Sequence, residues 1–169
     1  MSSVNAAVDT LETLGVITVD RSGRANAVRM DAEKLVKSDD PVTTIPQPEY
    51  HAPIRAILTG LDERIGDDVG VILFGSVARG TADRTSDIDL FVVVDEERMQ
   101  AQREAHTIEQ EIADEQFDGD RYEAHIIVER KGSAENHDRI SDILAEGLTL
   151  RDSKALDAVK QGVFDDGPE

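Results

Sequence analysis

Two short apolar runs dominate the middle of the chain: residues 71–74, which stop at Gly75, and residues 88–94, which are entered through Asp87 and Asp89. The first is continuous, brief and ended by glycine, the pattern of a buried strand that runs into a turn. In the second, Asp87, Asp89 and Phe91 alternate with Ile88, Leu90 and Val92. A period of two places both aspartates on one face of a strand and turns the aliphatic residues toward the core. A tight turn after Phe74 exposes backbone N–H groups and the Ser76 hydroxyl. Gly75 and Gly80 let the backbone come close to phosphate oxygens, because no Cβ intervenes and positive φ is open to them. Two carboxylates side by side repel each other. A divalent cation relieves that repulsion, and magnesium is typically held by one or two carboxylates together with the phosphates of a substrate.

The Gly75-Ser76 pair, ten intervening residues and then Asp87-Ile88-Asp89, with Ala78-Arg79-Gly80 and Ser86 around them, resembles the signature of the DNA polymerase β-like nucleotidyltransferase superfamily, in its minimal nucleotidyltransferase branch. The resemblance implies an α/β (α+β) nucleotidyltransferase fold, a mixed sheet of about four or five strands flanked by helices. It implies an enzyme that moves a nucleoside monophosphate, AMP from ATP, to an acceptor hydroxyl with loss of pyrophosphate. Asp87 and Asp89 would hold Mg²⁺, with a third carboxylate completing a two-ion cluster, and Gly75, Ser76, Arg79, Gly80 and Ser86 would face the nucleotide. Arg79 has a second reading, an ion pair with Asp83 or Asp87 that holds the loop.

The third carboxylate of the family lies on the strand after a long helix, and Glu123 is its candidate here. Glu123 shares strand parity with His125 and Ile127. The usual family residue is aspartate, so glutamate is a departure, and Glu129 and Asp120 stay open as alternatives. Such a carboxylate could also accept the proton of the attacking hydroxyl. The four histidines are scattered without metal-ligand spacing; His125 shares the Glu123 face but reads first as a surface residue. The minimal branch further implies a HEPN-domain partner protein. Some of its pairs act as toxin–antitoxin systems in which the transferase adenylylates a tyrosine of the HEPN ribonuclease.

Residues 1–37 carry five acidic and five basic side chains, so the whole net charge of −18 lies beyond them. Pro41, Pro46 and Pro48 mark residues 38–50 as a linker, followed by a domain over 51–164 and a frayed tail over 165–169. In the first segment, Val4, Ala7, Val8, Leu11 and Leu14 recur at helical spacing, with Gly15 as a stop. Residues 16–19 and 27–30 read as two strands around a turn at 20–24. A helix followed by an arginine-tipped hairpin resembles the second half of a winged helix, a partial element whose first half is absent. It suggests either an artificial start or a remnant. Ser2, Ser3 and Asn5 would then point to base edges and the hairpin arginines to phosphates, unless helix and hairpin serve only for packing or dimerisation. This supports an alternative function: a non-catalytic DNA-binding or partner-masking regulator with an idle nucleotidyltransferase domain. A small-molecule-modifying enzyme is a third reading, for which no larger acceptor domain is present.

In the second domain the sequence predicts helices over 51–65, 96–116, 135–146 and 153–161, the last begun by a serine cap. It predicts further strands over 122–128, central in the sheet, and 148–150. Acidic residues number 36 against 18 basic ones, of which five are lysine. Such a surface repels nucleic acid at ordinary ionic strength. The bias toward aspartate and arginine resembles haloarchaeal proteins, where molar salt screens charges within about 3 Å. There is no cysteine and no apolar run of about 18 residues, so neither a disulfide nor a membrane span is expected. The opening residues lack the pattern of a secretory signal, and a cytoplasmic protein is expected.

Overall fold

The computed structural model describes residues 8, 9, 12, 17–21, 27–30 and 40–165. The chain divides into two units, Met1–Asp39 and Asp40–Glu169. In the first, strands β1 (Ile17–Asp20) and β2 (Ala27–Met30) pair antiparallel, with Ile17 opposite Met30 and Asp20 opposite Ala27. Val8, Asp9 and Glu12 are helical. Arg21, one of the arginines expected to face phosphates, donates to both carboxylate oxygens of Glu12, at 2.9 and 2.6 Å, and lies 3.6 Å from Asp9. Ser2, Ser3, Asn5, Gly15, most of the hairpin turn and residues 166–169 lie outside the described residues.

The second unit begins where a linker was expected. Pro41 and Pro48 stand at the first position of two 3-10 turns, Pro41–Thr44 and Pro48–Tyr50, where a missing N–H costs nothing. Asp40 caps the first of these by accepting from the Val42 N–H at 3.0 Å. Val42, Ile45 and Tyr50 are buried, so this stretch belongs to the core that follows. Next come helix α1 (His51–Arg64), strand β3 (Gly70–Phe74), the single helical turn α2 (Gly75–Arg79), strand β4 (Ile88–Val94) and the long helix α3 (Arg98–Asp114). Strand β5 (Ala124–Arg130), α4 (Lys131–Ala134), α5 (Ile140–Glu146), β6 (Leu148–Arg151) and α6 (Lys154–Asp165) complete it.

The sheet is mixed, in the order β5-β4-β3-β6, with β4 and β5 parallel and the other pairs antiparallel. Both faces are covered. On one, Val71, Leu73, Leu90 and Val92 pack against Ile54, Ile57 and Leu61 of α1 and against Ala105 and Ile108 of α3. On the other, Ile72, Phe74, Phe91 and Val93 meet Ala134, Ile140, Ile143, Leu156 and Val159 from α4, α5 and α6. This four-stranded sheet fits the expected mixed sheet of about four or five strands between helices.

Three details differ from the expectation. Phe91, on the aspartate face of β4, is as fully buried as its aliphatic neighbours because a second helical layer covers it. Strand β5 is an edge rather than a central strand. Its outward backbone groups are satisfied by α3: the Ile126 N–H donates to Glu109 at 2.6 Å, Val128 N–H to Gln102 at 3.3 Å, and Arg98 donates to the Val128 carbonyl at 2.9 Å. An edge sealed by side chains is closed to further strand pairing. Finally, the helix expected over 135–146 is interrupted. Residues 135–139 form turns between α4 and α5, with the His137 N–H donating to the Ala134 carbonyl at 3.1 Å and the Ile140 N–H to the His137 carbonyl at 2.9 Å.

The Ser153 cap is present as expected: its Oγ accepts from the Leu156 N–H at 3.1 Å.

Candidate functional site

The site lies where β3 ends and β4 and β5 begin. Antiparallel pairing of β3 with β4 sets Phe74 opposite Asp89, and parallel pairing of β4 with β5 sets Asp89 opposite His125. The ladder closes at Ile88, whose N–H donates to the Glu123 carbonyl at 2.9 Å, so that Glu123 and Asp87 follow each other at the mouth of the same strand pair. Asp87, Glu123 and His125 are exposed; Asp89 is half-buried.

Gly75 is the hinge of this arrangement. Its φ is +76°, and a Cβ there would fall 2.4 Å from Asp89 Oδ2. Only glycine takes that conformation cheaply and leaves the carboxylate its place. The turn and the aspartate are therefore in direct contact, although fourteen positions apart in the chain. Ser76 follows in the first residues of α2, and its carbonyl accepts from the Thr81 N–H at 2.9 Å.

Asp89 bears the electrostatic signature of the site. Burial pushes its carboxyl above the ordinary carboxylate range and the nearby Asp87 pushes it the same way, while His125, Arg139 and Arg79 pull it down. Neither carboxylate side chain forms an ion pair or hydrogen bond with another described residue. A half-buried carboxylate beside a second one is short of positive charge, and a divalent cation would supply it. The oxygen donors of Asp87 and Asp89 thus fit the two-carboxylate, phosphate-completed coordination typical of magnesium. Among the described residues, no three His, Cys, Asp or Glu side chains are gathered closely enough to hold a metal ion by themselves. Glu123 neighbours Asp87 along the strand ends without joining such a set. Asp120 is bridged to Phe117 in a separate turn, and Glu129 pairs with Arg98 at 3.0 Å far along β5.

The remaining expected residues take varied places. Arg79 is exposed and pairs loosely with Glu146 at 3.8 Å, not with Asp83 or Asp87. Gly80 caps α2 in the left-handed conformation, φ +70°, and a Cβ there would lie 2.8 Å from Pro46; its glycine is explained by that cap and contact. Ser86 is tied into the loop before β4, where its Oγ accepts from the Asp83 N–H at 3.0 Å. Asp83 in turn accepts from the Thr85 hydroxyl and N–H and from Ser86, which hold its carboxyl below the usual range. On the side of Asp87 and Glu123, a cleft of about 360 Å³ opens between Arg84, Ser86, Arg121 and Tyr122.

Sequence reasoning missed Arg139. Fifty residues beyond Asp89, it comes from the turn between α4 and α5, with its guanidinium carbon 5.7 Å from the centre of the Phe74 ring. No local motif marks it, because the interruption of the helix at residues 135–139 is what brings it there. His137 in the same turn packs edge-on to Phe91 at 5.3 Å and accepts from the Arg139 N–H at 3.3 Å.

The sequence model of the nucleotidyltransferase domain family matches residues 54–149, from α1 into β6 and more than half of the chain. No curated protein matches the chain.

Proposed function

Because the chain belongs to the nucleotidyltransferase domain family, we propose that it transfers a nucleoside monophosphate, AMP from ATP, to a hydroxyl of a protein acceptor. The acceptor oxygen bonds to the α-phosphorus, the bond from that phosphorus to the β-phosphate bridge breaks, and pyrophosphate leaves with the electron pair. The single observation that carries this reading is the seating of Asp89 against Gly75, which joins a carboxylate short of positive charge to a turn suited to phosphate.

Asp87 and Asp89 are the residues that would hold Mg²⁺. When bound, the metal neutralises phosphate charge and orients attacking and leaving oxygens. Gly75 and Ser76 offer a backbone N–H and a hydroxyl to the outgoing phosphates, and Arg79 adds positive charge. Glu123, beside Asp87, is the candidate for a third ligand in a two-ion arrangement and for taking the proton of the acceptor hydroxyl. Positioning and electrostatics carry most of such a reaction, so a small domain suffices. The resemblance to minimal nucleotidyltransferases supports a HEPN-domain protein as acceptor and a toxin–antitoxin setting in the cytoplasm. The acidic, lysine-poor composition supports a haloarchaeal setting, and molar KCl as the assay medium.

The test is to incubate the protein with Mg²⁺, the product of the adjacent gene as candidate HEPN-domain partner, and ATP labelled at either the α- or the γ-phosphate. Label from the α-position should appear on the partner and label from the γ-position should not. The Asp87→Asn, Asp89→Asn double variant should lose transfer by at least about a thousandfold. Equal labelling by that variant, or transfer of the γ-label, overturns the reading.

A further inference from the structure

We propose that Arg139 is a second arginine of the nucleotide site, one that binds the terminal phosphates of the triphosphate from outside the Gly-Ser and Asp-x-Asp segments. The inference rests on the nucleotidyltransferase reading and deepens it by naming a residue that selects for phosphate number.

Its first support is position. Phe74 and Asp89 are direct cross-strand partners, so their side chains share a face a few ångströms apart. Gly75, which makes the turn, follows Phe74 immediately. The Arg139 guanidinium stands over the Phe74 ring at 5.7 Å, within range of a cation–π attraction, and so beside both turn and carboxylate. Phe74 is itself 5% exposed and packed in the core, which makes its ring a fixed platform.

The second support is what Arg139 does not do. In a chain with twice as many acids as bases, with Asp138 as its neighbour and Glu135 and Asp142 within four residues, its guanidinium forms no ion pair among the described residues. Arg55, Arg64, Arg98 and Arg151 all do, at 3.0 Å or less; Arg84, Arg103, Arg121 and Arg130 also form none among the described residues, but of these five it is Arg139 that lies over the Phe74 ring and acts on Asp89. Nor is it within 4 Å of Asp89, although close enough to act on that carboxyl. A surface ion pair with a neighbouring acid would cost Arg139 little to form. The guanidinium instead rests on an aromatic face with its N–H edge unspent, and that edge is the group that matches phosphate oxygens.

Third, the local backbone is fixed for this placement. The Arg139 N–H donates to His137 Nδ1, His137 packs edge-on to the buried Phe91, and the Arg139 carbonyl accepts from the Ile143 N–H at 3.0 Å. The turn that carries the arginine is thus anchored to the same strand, β4, that carries Asp89. Arg79, the other arginine acting on Asp89, comes from α2 and keeps only a loose pair with Glu146. With the metal side formed by Asp87 and Asp89, these two cations are suited to the charge of the departing pyrophosphate.

Calorimetric titration of the full chain with Mg²⁺ plus ATP, ADP or AMP tests this. Arg139→Ala should weaken ATP by about tenfold to a hundredfold, ADP less, and AMP not at all, with Arg139→Lys intermediate. A melting curve equal to that of the unaltered chain shows that the exposed side chain was not needed for folding. Unchanged ATP affinity in Arg139→Ala, or equal losses for ATP and AMP, overturns the proposal while leaving the nucleotidyltransferase reading intact. Absence of any metal-dependent ATP binding by the unaltered chain overturns both, and is recognisable because it needs no variant.

Discussion

Strand β4 has carboxylates at both ends, and the two ends behave differently. Beyond Val94, Asp95, Glu96 and Glu97 are exposed; Asp95 pairs with Lys131 at 2.5 Å and raises that lysine's pKa, and Arg64 nearby meets Glu111 and Glu104. A cleft opens there too, lined by Arg64, Val69, Val94 and Glu104 among others. At the start of the strand, Asp87 and Asp89 have no such partners, Asp89 is half-buried, and a glycine turn lies against it. A negative cluster in a chain of net charge −18 is commonplace. What distinguishes a site is carboxylate charge left uncompensated by the protein, partly removed from water and set beside backbone that can meet an anion.

Substitutions at the two ends sharpen this contrast. After the aspartate double variant, the largest effect is expected for Gly75→Ala. A methyl 2.4 Å from Asp89 Oδ2 must displace the carboxylate, and the +76° φ is unfavourable to alanine. Transfer should fall about a hundredfold and stability by about 1–2 kcal/mol, read by the labelling assay and by urea unfolding. A variant as active as the original would detach the turn from the site.

Next in size is a gain in stability. Because the pKa of Asp89 is raised by folding, its ionisation opposes the metal-free fold: that penalty is absent below the ordinary value of 3.8 and grows as pH rises through the folded value. Asp89→Asn, measured with chelator present, should therefore melt higher than the unaltered chain at neutral pH, with the gain fading as pH falls toward 3.8. A lower melting point at neutral pH would mean that the carboxylate is compensated after all. The smallest effect belongs to the other end. Lys131→Ala frees an exposed Asp95 and should change neither transfer nor melting point measurably. A loss of transfer there would erase the distinction between the two ends.

Much of this site was legible in the chain because its parts are local. A continuous apolar run closed by glycine and a period-two Asp-x-Asp run give β3, the turn and β4, and the register that faces Phe74 with Asp89 follows from joining them. The same alternation puts His125 on a strand, whereas β5 begins at Ala124 and Glu123, expected inside the strand, lies one residue before it. What the sequence hid depends on partners distant along the chain. The pattern of β5 suits a central strand, and only the Arg98, Gln102 and Glu109 side chains of α3 show how an edge is tolerated. Val42, Ile45 and Tyr50 lie among prolines without period, so their burial against α1 had no local signal. The interruption at residues 135–139 carries neither glycine nor proline, and with it Arg139 went unnoticed.

The contact between Gly75 and Asp89 has a thermodynamic consequence. On the proposed function, a nucleotide on the turn and an ion on the carboxylate would press on the same few atoms, so neither could be seated without changing the energy of seating the other. Whatever factor the ion contributes to nucleotide affinity, the nucleotide must return to ion affinity in equal measure.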